Sequence, residues 1–226
     1  MSKINIAIDG PSAAGKSTIA KMLGKRLGYI HLDSGAMYRC TAYKANLNGI
    51  DIEDEDAICE MLKHTDIVLT EDGDVILDGK NVSKEIRSDE ISQLASRVSK
   101  LKRVREDLVA RQKKMAEDKG FIMDGRDIGT VVLKDAEVKV YLTASAHARA
   151  VRRLKQNNDQ QIKTSDLETI EKEIEERDYR DMHRAASPLK KAEDAVEIDS
   201  SNLNAEQVLD AIYTLVLEKI QKEDSE

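Results

Sequence analysis

The first residues set a rhythm that much of the chain repeats. Ile4-Asn5-Ile6-Ala7-Ile8 reads as a short apolar strand, Asp9-Gly10-Pro11 breaks it, and Ser17 to Leu27 carries apolar side chains at helical spacing up to Gly28. Similar short apolar runs recur at Tyr29-Ile30-His31-Leu32, Phe121-Ile122-Met123, Val138-Lys139-Val140-Tyr141-Leu142 and Ala195-Val196-Glu197-Ile198, with helical patterns between them. Strands alternating with helices predict an α/β fold, a mainly parallel sheet covered by helices.

One stretch departs from this rhythm. Ile67-Val68-Leu69 and Val75-Ile76-Leu77 read as strands joined through Asp72-Gly73, and a second turn at Asp78-Gly79 leads to a short third strand. An antiparallel meander inside a βα chain marks residues 33–82 as an inserted subdomain. Later helices are predicted from Val104 to Met115 and from Ala146 to Gln156, followed by a polar tip, Asn157-Asn158-Asp159-Gln160-Gln161, that should stay in solvent. Ser165-Asp166-Leu167-Glu168 matches a capping box, and the charged helix behind it, running to about Arg184, reads as an arm projecting from the core. A last helix after Asn204 presents Val208, Leu209, Ile212, Leu215 and Val216 at three- and four-residue spacing.

Composition narrows the function more than the fold. The 226 residues, 40% hydrophobic and 35% charged, describe a soluble globular chain. A net charge of -7, with six Tyr, one Phe and no Trp, opposes a general nucleic-acid binder, so any phosphate partner must meet local basic clusters. No run of eighteen apolar residues occurs, and the N-terminus enters a strand without a leader pattern, which predicts neither membrane nor export. Cys40 and Cys59 have no metal-ligand spacing around them and read as free thiols of a cytoplasmic protein.

Gly10-Pro11-Ser12-Ala13-Ala14-Gly15-Lys16-Ser17 fits G-x-x-x-x-G-K-[ST], directly after a strand and at the start of a helix. Glycines let the backbone N–H groups wrap a phosphate at the helix N-terminus, Lys16 adds charge at the β and γ phosphates, and Ser17 is placed to ligate Mg²⁺. Asp124, after the apolar run 121–123, stands where such proteins hold the ion through a water. The motif alone leaves open whether the γ-phosphate goes to water or to an acceptor. A guanine-reading Asn-Lys-x-Asp string is absent.

Arginines beside carboxylates occur in three further places, as expected where a second phosphate-bearing molecule is held opposite ATP. Asp33-Ser34 followed by Arg39 ends a strand and opens a helix, where plain helix capping is an alternative reading. Asp124-Gly125-Arg126-Asp127 stands at the C-terminal end of another strand, the edge at which open α/β sheets bind ligands. Arg177, Arg180 and Arg184, spaced by three and four residues, would share one helix face beside Asp181, as would a solvated face of i,i+4 pairs. These clusters leave open which small phosphorylated acceptor is held, and also leave open an ATP-driven switch that transfers nothing.

These strings, with Ile128-Gly129-Thr130-Val131-Val132 and Ser187-Pro188-Leu189, resemble the bacterial cytidylate kinases of the nucleoside monophosphate kinase group, over nearly the whole chain. The resemblance implies a five-stranded parallel P-loop core with helices on both faces, formed by 1–32, 83–148 and 187–226. It also implies a monophosphate-binding subdomain at 33–82, enlarged by the meander, and a short helical lid at 149–186. ATP would lie on Gly10, Pro11, Ser12, Ala13, Ala14, Gly15, Lys16, Ser17 and Thr18, with Mg²⁺ on Ser17 and, through water, Asp124. Arg39, Arg126 and Arg184, with Ser34 nearby, would hold the acceptor phosphate of CMP or dCMP. Ser96, Arg105 and Asp127 would read cytosine, and Arg177 and Asp181 would contact the ribose. Lys16, Arg126, Arg180 and Arg184 would carry the transfer, with Arg149, Arg152 and Arg153 as lid candidates. Family habit implies a monomer.

Overall fold

The computed structural model describes residues 2–70, 73–159 and 164–225. Among these residues, eight strands and eight α-helices follow in chain order: β1 (Ile6–Asp9), α1 (Lys16–Leu27), β2 (Ile30–Asp33), α2 (Ser34–Leu47), α3 (Glu55–Lys63), β3 (Ile67–Leu69), β4 (Val75–Leu77), β5 (Lys80–Asn81), α4 (Asp89–Val98), α5 (Lys102–Met115), β6 (Phe121–Gly125), β7 (Val138–Thr143), α6 (Ala146–Asp159), α7 (Leu167–His183), β8 (Val196–Asp199) and α8 (Ala205–Glu223). β2-β6-β1-β7-β8 form one sheet in that order, and every pairing in it is parallel. The register sets Ile8 beside Asp124, Asp9 beside Gly125 and Asp33 beside Asp124, so the carboxylates foreseen at strand ends gather on one edge.

Central strands of such a sheet must be apolar on both faces. Ile6 and Ile8 pack with Leu23 of α1 and Val208, Ile212 and Val216 of α8, while Ala7, Leu32 and Met123 face a second apolar layer with Ile128 and Val132. Gly24 lets α1 lie close: a Cβ there would stand 2.9 Å from the Tyr29 carbonyl oxygen. Of the apolar positions foreseen on α8, Leu215 is only half-buried, and Ile220 joins the buried set.

β3-β4-β5 form the antiparallel meander; of its first turn, Asp72 lies outside the described residues. The apolar cluster that holds it runs from Ala36 through Ile58, Val75 and Val98 to Leu108, and so includes side chains of α4 and α5. Cys40 is buried there with its thiol pushed up to about 12 by burial, and Cys59 is half-buried; both are free thiols.

Three local expectations are corrected. Asp166, not Ser165, caps α7, accepting Thr169 N–H at 2.9 Å. α6 runs on to Asp159, and Asn157 is buried with its amide donating to Thr164 Oγ1 at 3.0 Å, so that part of the polar tip is not in solvent; Gln160 and Gln161 lie outside the described residues. Nor does α7 project. Ile170 and Ile174 are buried with Ala150 of α6 and pack against Ala13 of the glycine loop, because these two isoleucines are enough to give the charged helix one apolar stripe. No described helix is long and apolar enough to cross a membrane.

Candidate active site

β1 ends at the sheet edge, and the loop behind it turns at once. Gly10 has φ 150°, and a Cβ there would lie 2.0 Å from the carbonyl oxygen of Leu142 on β7, so only glycine fits. Ala13 at φ 57° and Gly15 at φ 94° place left-handed residues in the loop, the geometry of an anion-binding nest that opens onto the α1 N-terminus. Lys16 is 6% exposed and donates from Nζ to the Pro11 carbonyl at 2.7 Å. Burial first, and then the nearby Arg126 charge, push its ammonium down to about 7, against the pull of Asp124 and Asp9. Thr18 is exposed on the first turn of α1.

Below this loop, Ser17 Oγ donates to Asp124 Oδ2 at 2.7 Å, His31 Nε2 meets Asp124 Oδ1 at 2.6 Å, and Ser34 Oγ donates to the Asp124 carbonyl at 2.6 Å. Among the described residues no three His, Cys, Asp or Glu side chains converge as a metal cage. A hydroxyl and one carboxylate beside a phosphate loop suit Mg²⁺, a hard cation that keeps waters and takes its other ligands from phosphates.

Across the edge lie the arginines. Asp33 does both things foreseen for it: Oδ1 accepts the Ala36 N–H of α2 as a cap, and Oδ2 pairs with Arg39 at 2.6 Å. Arg126 Nε donates to Asp181 Oδ2 at 2.9 Å. Burial opposes the charge on each, yet Asp181 holds Arg126 above its ordinary range and Arg126 holds Asp181 below its own. Arg105 pairs with Asp127, donates to the Ser99 carbonyl at 3.2 Å and stands 5.5 Å over the Tyr38 ring. Arg184 Nη2 lies 3.7 Å from Asp127, too far for a hydrogen bond. Ser96 is half-buried on α4, one turn before Ser99.

Three guanidinium nitrogens in this cluster, Arg39 Nε, Arg177 Nε and Arg184 Nη2, are buried without a hydrogen-bond partner among the described residues. Leaving a buried donor unsatisfied costs about 1–3 kcal/mol, more for a charged group. Burial and then Arg126 push Arg177 down to about 10, and Arg39 and Arg153 add to the repulsion. Positive charge is therefore crowded here beyond what the carboxylates satisfy, and an anion would relieve it.

The arginine helix is corrected in one respect. Arg177 and Asp181 turn inward, but Arg180 is exposed, its Nε donating to the Glu176 carbonyl at 3.3 Å, so Arg177, Arg180 and Arg184 share no face. Arg184 reaches the cluster because the chain has left the helix there, at φ -66° and ψ 143°. Of the lid candidates, Arg149 is buried and committed: it donates to the carbonyls of Ala144 and Ser12 and pairs with Asp178 at 2.6 Å. Arg152 points elsewhere, to Ser200.

Three groups had no role assigned from the sequence. Asp9 is buried at the end of β1, and His31 is half-buried with its ring against Asp124. Asp178 accepts the Ser12 N–H at 3.4 Å, tying α7 to the glycine loop. The available signal for Asp9 and His31 was a polar residue inside or closing an apolar strand run at the ligand-binding edge.

A cradle for one polyphosphate beside unsatisfied cations awaiting another anion is the arrangement of P-loop proteins that pass a phosphoryl group between two bound molecules. The chain belongs to the cytidylate kinase family, whose description, Cytidylate kinase, matches residues 6–218. It is similar to the cytidylate kinase of Geobacillus sp. (strain WCH70), 49% identical over 220 residues that cover 96% of this chain and 98% of that one. Its likeness to the cytidylate kinase of Bacillus subtilis (strain 168) is 47% over 220 residues, with the same coverage of 96% and 98%. A gluconokinase from Sinorhizobium meliloti 1021 superposes with a TM-score of 0.51 at 13% identity, covering 98% of this chain and 97% of that one, which shows the fold alone.

Proposed function

We propose that this chain transfers the γ-phosphoryl group of ATP to CMP or dCMP, giving ADP and CDP or dCDP. The observation that carries this reading is the set of buried guanidinium nitrogens without hydrogen-bond partners among the described residues, on Arg39, Arg177 and Arg184, next to a glycine loop built for phosphate. Arg39, Arg126 and Arg184 bind the acceptor phosphate beside Ser34; Ser96, Arg105 and Asp127 read the base; Arg177 and Asp181 face the ribose. Residues 33–82 form the monophosphate-binding subdomain and 149–186 the lid between core segments. The protein works as a cytoplasmic monomer.

The acceptor is already an anionic oxygen, so no strong base is needed and catalysis is placement and charge neutralisation. Lys16 leaves the Pro11 carbonyl for the phosphates of ATP. Arg126 and Arg184 draw the acceptor oxygen into line, and closure of the lid brings Arg180 from its exposed position toward the transferring group. Arginines in related transfers contribute about 10³ to 10⁵ in rate. Ser17 and, through water, Asp124 would hold Mg²⁺, which when bound neutralises charge between the β and γ phosphates. Closure also keeps water from the γ-phosphate. Cytosine presents an amine to Asp127 Oδ1, the oxygen that Arg105 does not take, where uracil would present a carbonyl and leave that oxygen without the base's donor.

ADP release measured with ATP and each of CMP, dCMP, UMP and AMP tests the reading. Turnover with CMP and dCMP well above UMP and AMP is expected. Equal turnover of UMP and CMP would remove the base-reading assignments, and no ADP with any monophosphate would remove the kinase reading.

A further inference from the structure

Asp9 is the last residue of β1 and lies directly before Gly10, the first residue of the phosphate loop. It is 4% exposed, and burial, the largest influence on it, pushes its carboxyl up to about 6. A carboxylate so far from water is costly unless it is fully hydrogen-bonded. Both oxygens are used, and both by main chain: Oδ1 accepts Ile128 N–H at 2.8 Å and Oδ2 accepts Gly129 N–H at 2.7 Å.

Those two N–H groups open the π-helical turn Ile128–Val132, which follows Arg126 and Asp127 without a spacer. On the other side of that dipeptide, Gly125 is the sheet partner of Asp9 itself. A single residue thus holds both ends of Arg126-Asp127, through its backbone register at Gly125 and through its side chain at Ile128 and Gly129. The turn has little slack at either end. A Cβ on Gly125 would stand 2.6 Å from Ser34 Oγ and 2.7 Å from Ile128 Cδ1, and one on Gly129 would stand 3.2 Å from Lys139 Cδ and 3.4 Å from Asp9 Oδ2.

We infer that Asp9 is a positioning residue, a bracket that sets where Arg126 and Asp127 stand relative to the phosphate loop and thereby governs acceptor binding and base selection. The inference rests on the reading of Arg126 and Asp127 as acceptor-binding groups. Asp9 touches neither nucleotide in this account; it acts through the turn.

Asp9→Asn tests it, because the amide keeps one acceptor oxygen and sets an NH₂ against the other backbone N–H. Calorimetric titration of CMP alone and ADP alone into wild type and variant separates the two sites. The expected result is CMP affinity lowered about 10-fold or more, ADP affinity changed less than about 2-fold, and a reduced preference for CMP over UMP. General damage to the loop would instead weaken both nucleotides alike. Gly129→Ala is the second variant: its methyl group presses on Lys139 Cδ and stands against Asp9 Oδ2, displacing the turn while the Asp9 residue and the loop sequence are unchanged, and should weaken CMP but not ADP. If Asp9→Asn does not fold, Gly129→Ala decides. Equal losses for CMP and ADP, or an unchanged CMP affinity in a folded variant, would overturn the bracket. Wild-type protein that binds no CMP in the same titration would overturn the acceptor reading, and the bracket with it.

Discussion

Docking of ATP should draw a proton from solvent. In the free chain Lys16 is buried against the Pro11 carbonyl, and burial followed by the Arg126 charge brings its ammonium down to about 7. Phosphates arriving in the loop place several negative charges on that nitrogen and restore its ordinary preference for the proton, near 10. At pH 8 the free site then holds about 0.1 proton and the occupied site about 1, an uptake of roughly 0.9 proton per ATP bound. At pH 6 the free lysine is already charged and the uptake from it falls to about 0.1. The sign follows from a depressed basic group: ATP affinity is greatest below 7 on this account and falls by up to about tenfold per pH unit above it. Calorimetry with MgATP at pH 8, in two buffers of different ionisation enthalpy, reads the uptake directly, and Lys16→Met should abolish it. No uptake by the wild-type chain at pH 8 would refute the burial argument, since it would mean that Lys16 is charged before the nucleotide arrives.

Three shorter predictions follow from contacts elsewhere in the site. Gly10→Ala puts a methyl group about where the Leu142 carbonyl stands, at a φ that side chains avoid, and should cost about 2 kcal/mol or more in denaturant unfolding together with nucleotide binding; an unchanged unfolding midpoint would contradict the close approach. Asp181→Ala strips Arg126 of its carboxylate and should weaken CMP about 10-fold in direct titration while ADP affinity holds; an unaltered CMP affinity would remove Asp181 from the acceptor side. His31→Phe removes the donor on Asp124 and should raise the Mg²⁺ needed for half-maximal rate about 10-fold, with ADP affinity in EDTA unchanged. An identical Mg²⁺ dependence would show that Asp124 needs no such support.

The elements that could be read from the chain are those whose physics is local. Gly10 to Ser17 announces itself because each position has a steric or charge requirement, and the Asp78-Gly79 turn because only a narrow set of residues reverses the chain so tightly. Ser165 and Asp166 are both competent caps one residue apart, and it is the start of α7 at Leu167 that makes the second the cap. Arg177 and Arg180 are the same residue type, both at helical spacing. Which of them faces the cleft depends on the side from which α6 packs, set by Ile170 and Ile174 against Ala150. Asp9 and His31 were illegible for a different reason. A single polar residue in a short apolar run looks like a strand end, and what makes each of them matter is a partner more than ninety residues away.

A linked analogue, adenosine and cytidine joined through a polyphosphate, tests the central claim most directly, since one molecule would have to occupy both anion sites at once. Simultaneous engagement turns the second contact into an intramolecular one and should tighten binding about 100-fold or more over ATP or CMP alone, with Lys16→Met and Arg126→Ala each reversing most of the gain. An analogue that binds no more tightly than ATP, and is indifferent to Arg126→Ala, would show that the arginines and the glycine loop do not serve one reaction.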